Sequence, residues 1–164
     1  MRHLLKTLPL LLLSALFIPS CEVENCPPNA LTYAVFVIKD GTGSTAAFAD
    51  TISIIGVMED EDGNLVNDTL VNKDVDESSF SLPLSYADET RFVFIYYDES
   101  TDTITVTHRN IPYFFNVDCG SMMYYEVTGV ETTFHQIDSI VLVNANITNN
   151  ETENFYIYYP SVAD

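Results

Sequence analysis

Apolar residues recur along this chain at every second position or in short solid runs, from Leu31 almost to the C-terminus. A period of two places alternate side chains on opposite faces of a β-strand, and no stretch has the spacing of an amphipathic helix. The same segments are rich in Val, Ile, Thr, Tyr and Phe, which fit a pleated, half-buried surface. The pattern predicts an all-β fold.

The strands that this pattern predicts are separated by short acidic or glycine-containing stretches. They are residues 31–39, 51–58, 65–71, 79–84, 91–97, 103–108, 122–134, 137–148 and 155–159. The stretches at residues 40–43, 59–64 and 98–102 combine Gly, Asn and Asp, which provide turn geometry, and they predict hairpin loops.

Two segments indicate how the strands are buried. Within residues 101–108, Ile104 and Val106 share one face and threonines share the other, so we expect one solvated face. Residues 91–97 are apolar on both faces, which predicts a central strand covered on both sides. An antiparallel two-sheet sandwich of the immunoglobulin-like kind accommodates both types of strand, and so does a closed barrel.

The start of the chain has the layout of a secretory signal peptide. Arg2 and Lys6 precede an apolar run at residues 8–18, which is too short to span a bilayer. The run ends in Ile18-Pro19-Ser20-Cys21, which resembles the lipobox at which bacterial lipoproteins are cleaved and acylated on cysteine. We therefore expect residues 1–20 to be a lipoprotein signal peptide and Cys21 to be lipidated. The alternative is an ordinary signal peptide cleaved elsewhere, with the Cys21 thiol paired inside the fold.

Two or more acyl chains suffice for stable anchoring, so acylation at Cys21 would tether the protein to a membrane. We expect this membrane to be the outer membrane. The anchored protein could face the periplasm or the cell surface. Residues 21–30 are acidic and then proline-rich, as expected of a short spacer. Residues 31–164 have the length of a single β-sandwich domain.

The chain is strongly acidic, with a formal net charge of −18. Downstream of Cys21 the fixed cations are Lys39, Lys73, Arg91 and Arg109. A surface of this charge does not attract phosphate groups, which argues against nucleic acid or anionic lipid as partners. The alternative to a role in binding cations is that the acids keep an envelope protein soluble.

Cys26 and Cys119 are the other two cysteines, and an exported protein works in an oxidising compartment. We expect a disulfide between them that ties the N-terminal segment to the body of the domain. Two free thiols or a metal pair are the alternatives, although neither cysteine has a His or a second Cys at ligand spacing.

The second half of the chain resembles a family of small lipoproteins from Bacteroidota that is known as a domain of unknown function. The residues that carry the resemblance are, in order, Ser81-Leu82-Pro83-Leu84, Phe92-Val93-Phe94, Asp102-Thr103-Ile104-Thr105-Val106, Cys119-Gly120 and His135-Gln136-Ile137-Asp138-Ser139-Ile140. The resemblance extends from about Cys26 to Tyr159. It implies an exported, lipid-anchored β domain with the Cys26 and Cys119 pair, and it brings no activity, substrate or catalytic residue.

The acidic loop at residues 58–63 looks like part of a calcium site. Aligning Gly63 with the invariant glycine of an EF-hand, however, puts Met58 at the first ligand position and Thr69 at the last, so the motif fails at both ends. A looser site would join Asp60 and Asp62 to Asp98 and Asp102 if the two loops lay at one end of the sandwich. The alternative is acidic hairpin tips that keep edge strands apart. We predict no resident metal and no cofactor.

The histidines downstream of Cys21 are His108 and His135. Neither Gly-x-Ser-x-Gly nor His-Glu-x-x-His occurs, so no catalytic residue is predicted. The period-two pattern predicts surface or edge positions for both histidines.

Tyrosines cluster in the predicted strands, at Tyr96-Tyr97, Tyr124-Tyr125, Tyr156 and Tyr158-Tyr159. Adjacent members must point to opposite faces. An outward set gathered on one sheet would form a stacking platform for a carbohydrate or a protein, and the alternative is that Tyr is simply a good strand former.

Four short motifs resemble the Asp-Ser/Thr-aliphatic acceptor for O-linked glycans on exported Bacteroidota proteins. Their acceptor residues are Thr51, Thr69, Thr103 and Ser139. The alternative is that Asp followed by Thr and an aliphatic residue is how a strand leaves a turn.

The sequence thus favours a non-enzymatic binding or interaction module of the envelope, whose partner is another envelope protein or a glycan. The first alternative is a hydrolase that uses His108 or His135 with nearby carboxylates. The second is a structural subunit of an envelope complex, for which an unpaired edge strand would be the sign.

Overall fold

The computed structural model describes Cys26 and residues 31–48, 50–59 and 64–160. The predicted signal peptide, Cys21 and the rest of the predicted spacer lie outside the described residues, as do Asp60 and Asp62. Within the described ranges, no helix has the length and apolar character needed to cross a bilayer.

The described chain folds into strands joined by loops, in agreement with the all-β prediction. The strands are β1 (Tyr33–Lys39), β2 (Ile52–Glu59), β3 (Leu65–Asp74), β4 (Ser79–Pro83), β5 (Glu89–Tyr96), β6 (Thr101–Asn116), β7 (Gly120–Thr132), β8 (Ser139–Leu142), β9 (Asn146–Ile147) and β10 (Glu153–Tyr158).

The strands form two sheets packed face to face. One sheet has the order β4-β1-β10-β8 and the other has the order β3-β2-β5-β6-β7-β9. The predicted two-sheet sandwich is confirmed, and the barrel alternative is wrong. All pairings between these strands are antiparallel except that of β1 with β10, which run parallel.

The core lies between the sheets and is built from the alternate residues that face inward. Phe36 of β1 stacks on Phe155 of β10, with ring centroids 4.5 Å apart, and meets Phe92 of β5 edge-on at 5.6 Å. Because Phe36 and Phe92 belong to different sheets, this contact joins the two layers. All three rings are fully buried. Burying a phenylalanine side chain contributes about 1.5 to 3 kcal/mol.

The burial predicted for residues 101–108 is found in the structure, and the burial predicted for residues 91–97 is not. Ile104 and Val106 are fully buried and the threonines beside them are half-buried or exposed, as predicted. β5 is a central strand, but only one of its faces is covered, because the described strands form no second layer outside its sheet. Its outward residues Val93 and Ile95 are half-buried, and Tyr97 just beyond the strand is 74% exposed. The prediction of a strand covered on both sides is therefore wrong.

Two predicted strands have different bounds in the structure. The predicted strand at residues 137–148 is divided between β8 and β9, which belong to different sheets. β6 extends to Asn116, well past the predicted end at His108. Among the described residues, its extra length pairs only with β7, and together they form a two-stranded hairpin.

The sandwich has two distinct ends. At one end β1 finishes at Lys39, β5 finishes at Tyr96 and β10 finishes at Tyr158; we call this the cleft end. At the other, the ribbon end, β6 turns into β7. There Cys26 and Cys119 form the predicted disulfide, with Cα atoms 5.3 Å apart.

Candidate functional site

A cleft of about 410 Å³ opens at the cleft end, and we call it the end cleft. Its walls come from the end of β1, the connection between β1 and β2, the loop between β7 and β8, and the residues after β10. The residues that carry the argument below are Ile38, Phe48 and Tyr159 on its apolar side and Lys39, Asp40, Asp50 and Gln136 on its polar side. This volume is in the range of small-ligand pockets.

Asp40 shapes the loop that follows β1. Its Oδ1 atom accepts the backbone N–H groups of Thr42 at 2.8 Å and Ser44 at 3.0 Å, and the Thr42 hydroxyl at 2.7 Å. Gly43 has a φ of +85°, a left-handed conformation that glycine adopts readily. The Thr42 hydroxyl contributes most to lowering the pKa of Asp40, so the carboxylate is charged at neutral pH.

The rings of Phe48, Tyr96 and Tyr159 pack together under the end cleft, and we call them the aromatic floor. Phe48 stacks on Tyr96 at 5.6 Å between centroids and meets Tyr159 edge-on at 5.1 Å. The two tyrosine hydroxyl oxygens are 3.2 Å apart. Burial, followed by the neighbouring Tyr159, raises the pKa of Tyr96, and burial also raises the pKa of Tyr159. Both hydroxyls therefore keep their protons.

A buried carboxylate, Asp102, fixes the loop between β7 and β8 behind the aromatic floor. Its side chain is 0% exposed. The groups that donate to it are the backbone N–H of His135 at 2.8 Å, of Gln136 at 2.8 Å and of Ile137 at 3.0 Å, the Thr133 hydroxyl at 2.7 Å and the Tyr96 hydroxyl at 3.1 Å. Both carboxylate oxygens are thus satisfied by donors.

The charge state of Asp102 is set by two opposing effects. Burial acts to raise its pKa, and the hydrogen bonds from the backbone of His135 and Gln136 and from the Thr133 hydroxyl act to lower it. The hydrogen bonds prevail, so the pKa is lowered from its usual value and the group is an anion inside the fold. A carboxylate that accepts several N–H bonds behaves in this way.

Gln136 belongs to this loop and connects it to a neighbouring loop at the surface. Its Nε2 donates to Asp98 Oδ2 at 3.1 Å and to Ser100 Oγ at 3.2 Å, so the side chain bridges to the loop between β5 and β6. A smaller cavity of about 130 Å³, lined in part by Asp50, Asp98 and Gln136, lies beside the end cleft. Three loops therefore meet around Gln136.

The charge on the described lining of the end cleft is negative on balance. Asp40 and Asp50 are carboxylates, and the one cation among the described lining residues is Lys39. The Lys39 ammonium is already occupied, because it donates to Thr45 Oγ1 at 2.8 Å and lies 4.4 Å from the centroid of the Tyr156 ring. The cleft therefore favours a ligand group that carries positive charge.

Of the four weak metal candidates, the structure describes Asp98 and Asp102. Asp60 and Asp62 lie outside the described residues. The loop that holds Asp98 lies at the cleft end. Asp102 is enclosed by its own donors, and the described residues contain no group of three or more side chains suited to a metal.

His108 is buried, and the prediction of a surface or edge position for it is wrong. It lies on the face of β6 that carries Ile104, so its ring points into the sandwich. Nε2 lies 2.9 Å from Thr90 Oγ1 and Nδ1 lies 3.0 Å from Asn110 Oδ1. Burial lowers its pKa, and Asn110 and Asp88 oppose this effect, so the ring is neutral at pH 7.

His135 is on the surface, as predicted. Its Nδ1 lies 3.5 Å from Asp102 Oδ1, and its side chain is 67% exposed. His108 lies six residues further along β6 than Asp102, about 20 Å away. The two histidines therefore do not share a site.

The tyrosine pairs alternate between faces, as predicted. Tyr96 is buried and Tyr97 is exposed, and Tyr125 is buried whereas Tyr124 is half-buried. The outward members are spread over both sheets, since Tyr156 lies on the four-stranded sheet. They do not gather into a single stacking platform.

The four candidate glycan acceptors differ in access. Thr69 is exposed on β3, and the preceding Asp68 is exposed too. Thr51, Thr103 and Ser139 are half-buried, and the aspartate before Thr103 is the enclosed Asp102. Thr69 is the acceptor that the fold leaves most accessible.

Nothing in the sequence indicates the end cleft as a site. The turn at residues 40–43 is predicted, but nothing local indicates that Phe48, Gln136 and Tyr159 meet. Phe48 precedes the other two by more than half of the chain, and β8, β9 and β10 lie between Gln136 and Tyr159. Only the pairing of β1 with β10 brings Lys39 and Tyr159 together.

Fold and cleft together define the class of protein: a two-sheet β-sandwich whose loops at one end enclose a polar-rimmed cleft. Residues 51–159 match the model of a family of unknown function, DUF6452, and the chain belongs to that family. The match includes Gln136 and Tyr159, whereas Lys39, Asp40 and Phe48 precede it. No curated protein and no solved structure matches the chain. The predicted membership in a family of unknown function is confirmed, and lipoprotein character and bacterial origin stay predictions.

Proposed function

We propose that this protein is a lipid-anchored binding module of the cell envelope and is not an enzyme. In this proposal, acyl chains on Cys21 hold it at the outer membrane of a Gram-negative bacterium, and the end cleft takes the ligand. The observation that carries the binding role is the end cleft, in which an aromatic floor lies beside the carboxylates of Asp40 and Asp50 and beside the loop between β7 and β8 that Asp102 fixes.

The composition of the cleft supports a role in binding rather than in catalysis. Its described lining residues include no histidine, cysteine or serine, which are common nucleophiles and bases of hydrolases. His108 is enclosed by Thr90 and Asn110, and His135 faces a carboxylate that its own donors already satisfy. The hydrolase alternative thus has no supporting geometry among the described residues.

The ligand group that fits best is an ammonium or guanidinium on an apolar or aromatic body. Asp40 and Asp50 supply negative charge at the rim, and the aromatic floor supplies flat apolar surface below it. Such a group occurs both on small amines and on Lys or Arg side chains of envelope proteins.

The binding role is tested with arginine amide and its neutral analogue citrulline amide. Amide resonances of the isotope-labelled protein are followed by NMR during each titration. We expect arginine amide to shift the resonances of Gln136 and Tyr159, and we expect citrulline amide to leave them in place. Asp50→Asn should weaken the effect, and Asp118→Asn, at the ribbon end, should not.

Two results would contradict this assignment. Shifts caused equally by both probes would show that charge does not select the ligand. Shifts caused by a neutral disaccharide such as cellobiose, without any caused by arginine amide, would replace the cationic ligand with a glycan.

Anchoring is tested separately by replacing the Cys21 sulfur with a hydroxyl. We expect the wild-type protein to incorporate labelled palmitate and to sediment with membranes. Cys21→Ser should lose both properties. Membrane association that survives this replacement would remove the lipid anchor from the proposal and leave the cleft untouched.

A structural subunit of an envelope complex is the second candidate, and strand β3 favours it. β3 is a ten-residue edge strand whose residues are mostly exposed, and an open edge can pair with a strand of another protein. A photo-crosslinking residue at Asn67 on this edge should then capture a specific protein in native membranes. The same residue at Thr128, exposed on central strand β7, is the control, and equal labelling from both sites would contradict this role.

A further inference from the structure

The hairpin between β6 and β7 continues beyond the sheet as a two-stranded ribbon. β5 pairs with β6 only as far as Thr107, and β9 pairs with β7 only at Tyr125 and Glu126. The pairing of β6 with β7 continues to Asn116 and Gly120. We call residues 110–124 the apolar ribbon. Its strands are long enough to extend about 20 Å past the sheet.

Both faces of the apolar ribbon carry exposed apolar side chains. Tyr113 and Phe115 lie on one face, and Phe114, which is 63% exposed, lies on the other. Val117 at the tip is 89% exposed. Met122, which pairs with Tyr113, is buried, so the exposed part of the ribbon is its end. A protein partner would cover one face of that end, whereas a lipid surface can surround both of its faces and the tip. An isolated two-stranded ribbon is also only marginally stable in water.

The apolar ribbon is nearly free of charge within a strongly acidic chain. Asp118 is the only charged residue between Asn110 and Tyr124, while the chain as a whole carries −18. The next charges are Arg109 and Glu126, which form an ion pair at the base of the ribbon. This distribution is that of an element with a polar base and an apolar end, as found at membrane interfaces.

The backbone at the tip is suited to a region of low polarity. Asn116 Oδ1 accepts the N–H groups of Asp118 at 3.0 Å and Cys119 at 2.7 Å, so these two donors need no water. Unsatisfied backbone groups are costly in lipid.

The covalent structure places this tip beside the proposed anchor. Cys119 at the tip is bonded to Cys26, and Cys21 is five residues earlier in the chain. Five residues span at most about 18 Å when fully extended. Acyl chains on Cys21 therefore cannot enter a membrane that is far from the tip.

We infer that the tip of the apolar ribbon inserts into the interfacial region of the membrane that holds the acyl chains of Cys21. This inference rests on the proposed lipid anchor. It gives the domain a fixed orientation, in which Phe114, Phe115 and Val117 contact lipid and the end cleft points away from the bilayer. The end cleft is then presented to ligands at the opposite end of the sandwich.

The chain contains no tryptophan, so a single introduced tryptophan reports its own surroundings. Phe114→Trp and Val117→Trp each place the probe at the tip. Both variants are used because a single substitution could disturb the hairpin. Phe134→Trp is the matched control, since Phe134 is 70% exposed and follows the far end of β7. β7 is 13 residues long, which separates the control from the tip by about 40 Å.

Each variant is expressed with its own residues 1–20 in a Gram-negative host, purified in detergent and reconstituted into phosphatidylcholine vesicles whose acyl chains are brominated. Flotation with the vesicles reports whether the protein is attached. We expect tryptophan at positions 114 and 117 to shift to shorter wavelength and to lose most of its emission. Tryptophan at position 134 should keep the emission that it has in vesicles without bromine.

The outcomes separate the inference from the anchor on which it rests. Protein that floats with vesicles but shows no quenching at positions 114 and 117 overturns the inference and leaves the anchor intact. Equal quenching at positions 114, 117 and 134 also overturns it, because the domain then has no fixed orientation. Protein that does not float shows that Cys21 carries no acyl chains, and the anchor and the inference fail together.

Discussion

The backbone N–H of Gln136 donates to Asp102 Oδ2 at 2.8 Å, and this hydrogen bond connects the core of the sandwich to the end cleft. Asp102 lies on β6 inside the fold, whereas the Gln136 side chain lines the cleft and reaches Asp98. The position of one cleft wall therefore depends on a carboxylate that no ligand would touch.

Replacing Asp102 by asparagine should destabilise the fold by about 3 kcal/mol, because it removes charge-assisted hydrogen bonds and sets an amide N–H₂ against backbone donors. Urea unfolding followed by circular dichroism measures the loss. Asp98→Asn is the matched control, since Asp98 is exposed and its hydrogen bonds, from Ser100 and from the Gln136 side chain, lie at the surface. The control should lose much less, and equal losses would show that the donors around Asp102 contribute little.

Asp102 should also make the stability of the folded protein depend on pH, so that it decreases in acid. The pKa of Asp102 is lowered from its usual 3.8 in the folded protein, so below about that pH the unfolded chain binds a proton that the folded chain does not. The contribution of Asp102 to the free energy of unfolding is present above the pKa that this residue has in the unfolded chain. It is lost as the pH falls through the pKa that the residue has in the folded protein.

The wild-type protein and Asp102→Asn should therefore differ in stability at pH 7 and converge as the pH falls below 4. Other carboxylates titrate in both proteins, so the difference between the two isolates Asp102. A difference that stays constant between pH 7 and pH 3 would contradict the lowered pKa.

Removing the disulfide should cost up to about 4 to 5 kcal/mol, since it closes a loop with a sequence separation of 93 residues. The double variant Cys26→Ser, Cys119→Ser avoids leaving one free thiol. Its unfolding midpoint in urea should be lower than that of the oxidised wild type and should match that of the reduced wild type. A midpoint that does not respond to reduction would show that the bridge adds nothing to stability.

If the protein carries an O-linked glycan, Thr69 should hold it, because Thr69 and the preceding Asp68 are both exposed on β3. Thr69→Ala should remove the added mass from protein purified from its native host. Thr103→Ala should not, since Asp102 before it is enclosed. Intact-mass spectrometry distinguishes these cases, and a native protein with no mass beyond its lipids would dismiss modification altogether.

The alternation of apolar and polar residues along the chain is sufficient to predict that this fold consists of two packed sheets. Ile104 and Val106 face inward because a strand repeats every two residues, whatever its neighbours are. The end of β6 was missed because Pro112 lacks a backbone N–H and argues against a strand interior. Pro112 is tolerated in the apolar ribbon, where β6 has a neighbouring strand on one side only.

Positions that depend on distant partners could not be predicted. Asp102 looked like a loop carboxylate, and it is buried because the backbone of residues 135–137 supplies its donors. His108 is buried because Thr90 and Asn110 meet its ring nitrogens, which depends on how β5 and β6 are aligned. The division of residues 137–148 follows from Asn144, whose Oδ1 accepts the Asn146 N–H and turns the chain.

β10 lies between β1 and β8, and this placement determines when the domain can form. Until residues 153–158 have emerged from the ribosome, β1 has one neighbour, β8 has no strand partner and Phe36 lacks the ring on which it stacks. A nascent chain in that state cannot close its four-stranded sheet. The four-stranded sheet, and with it the core between the two sheets, therefore closes only after almost all of the described residues have been made.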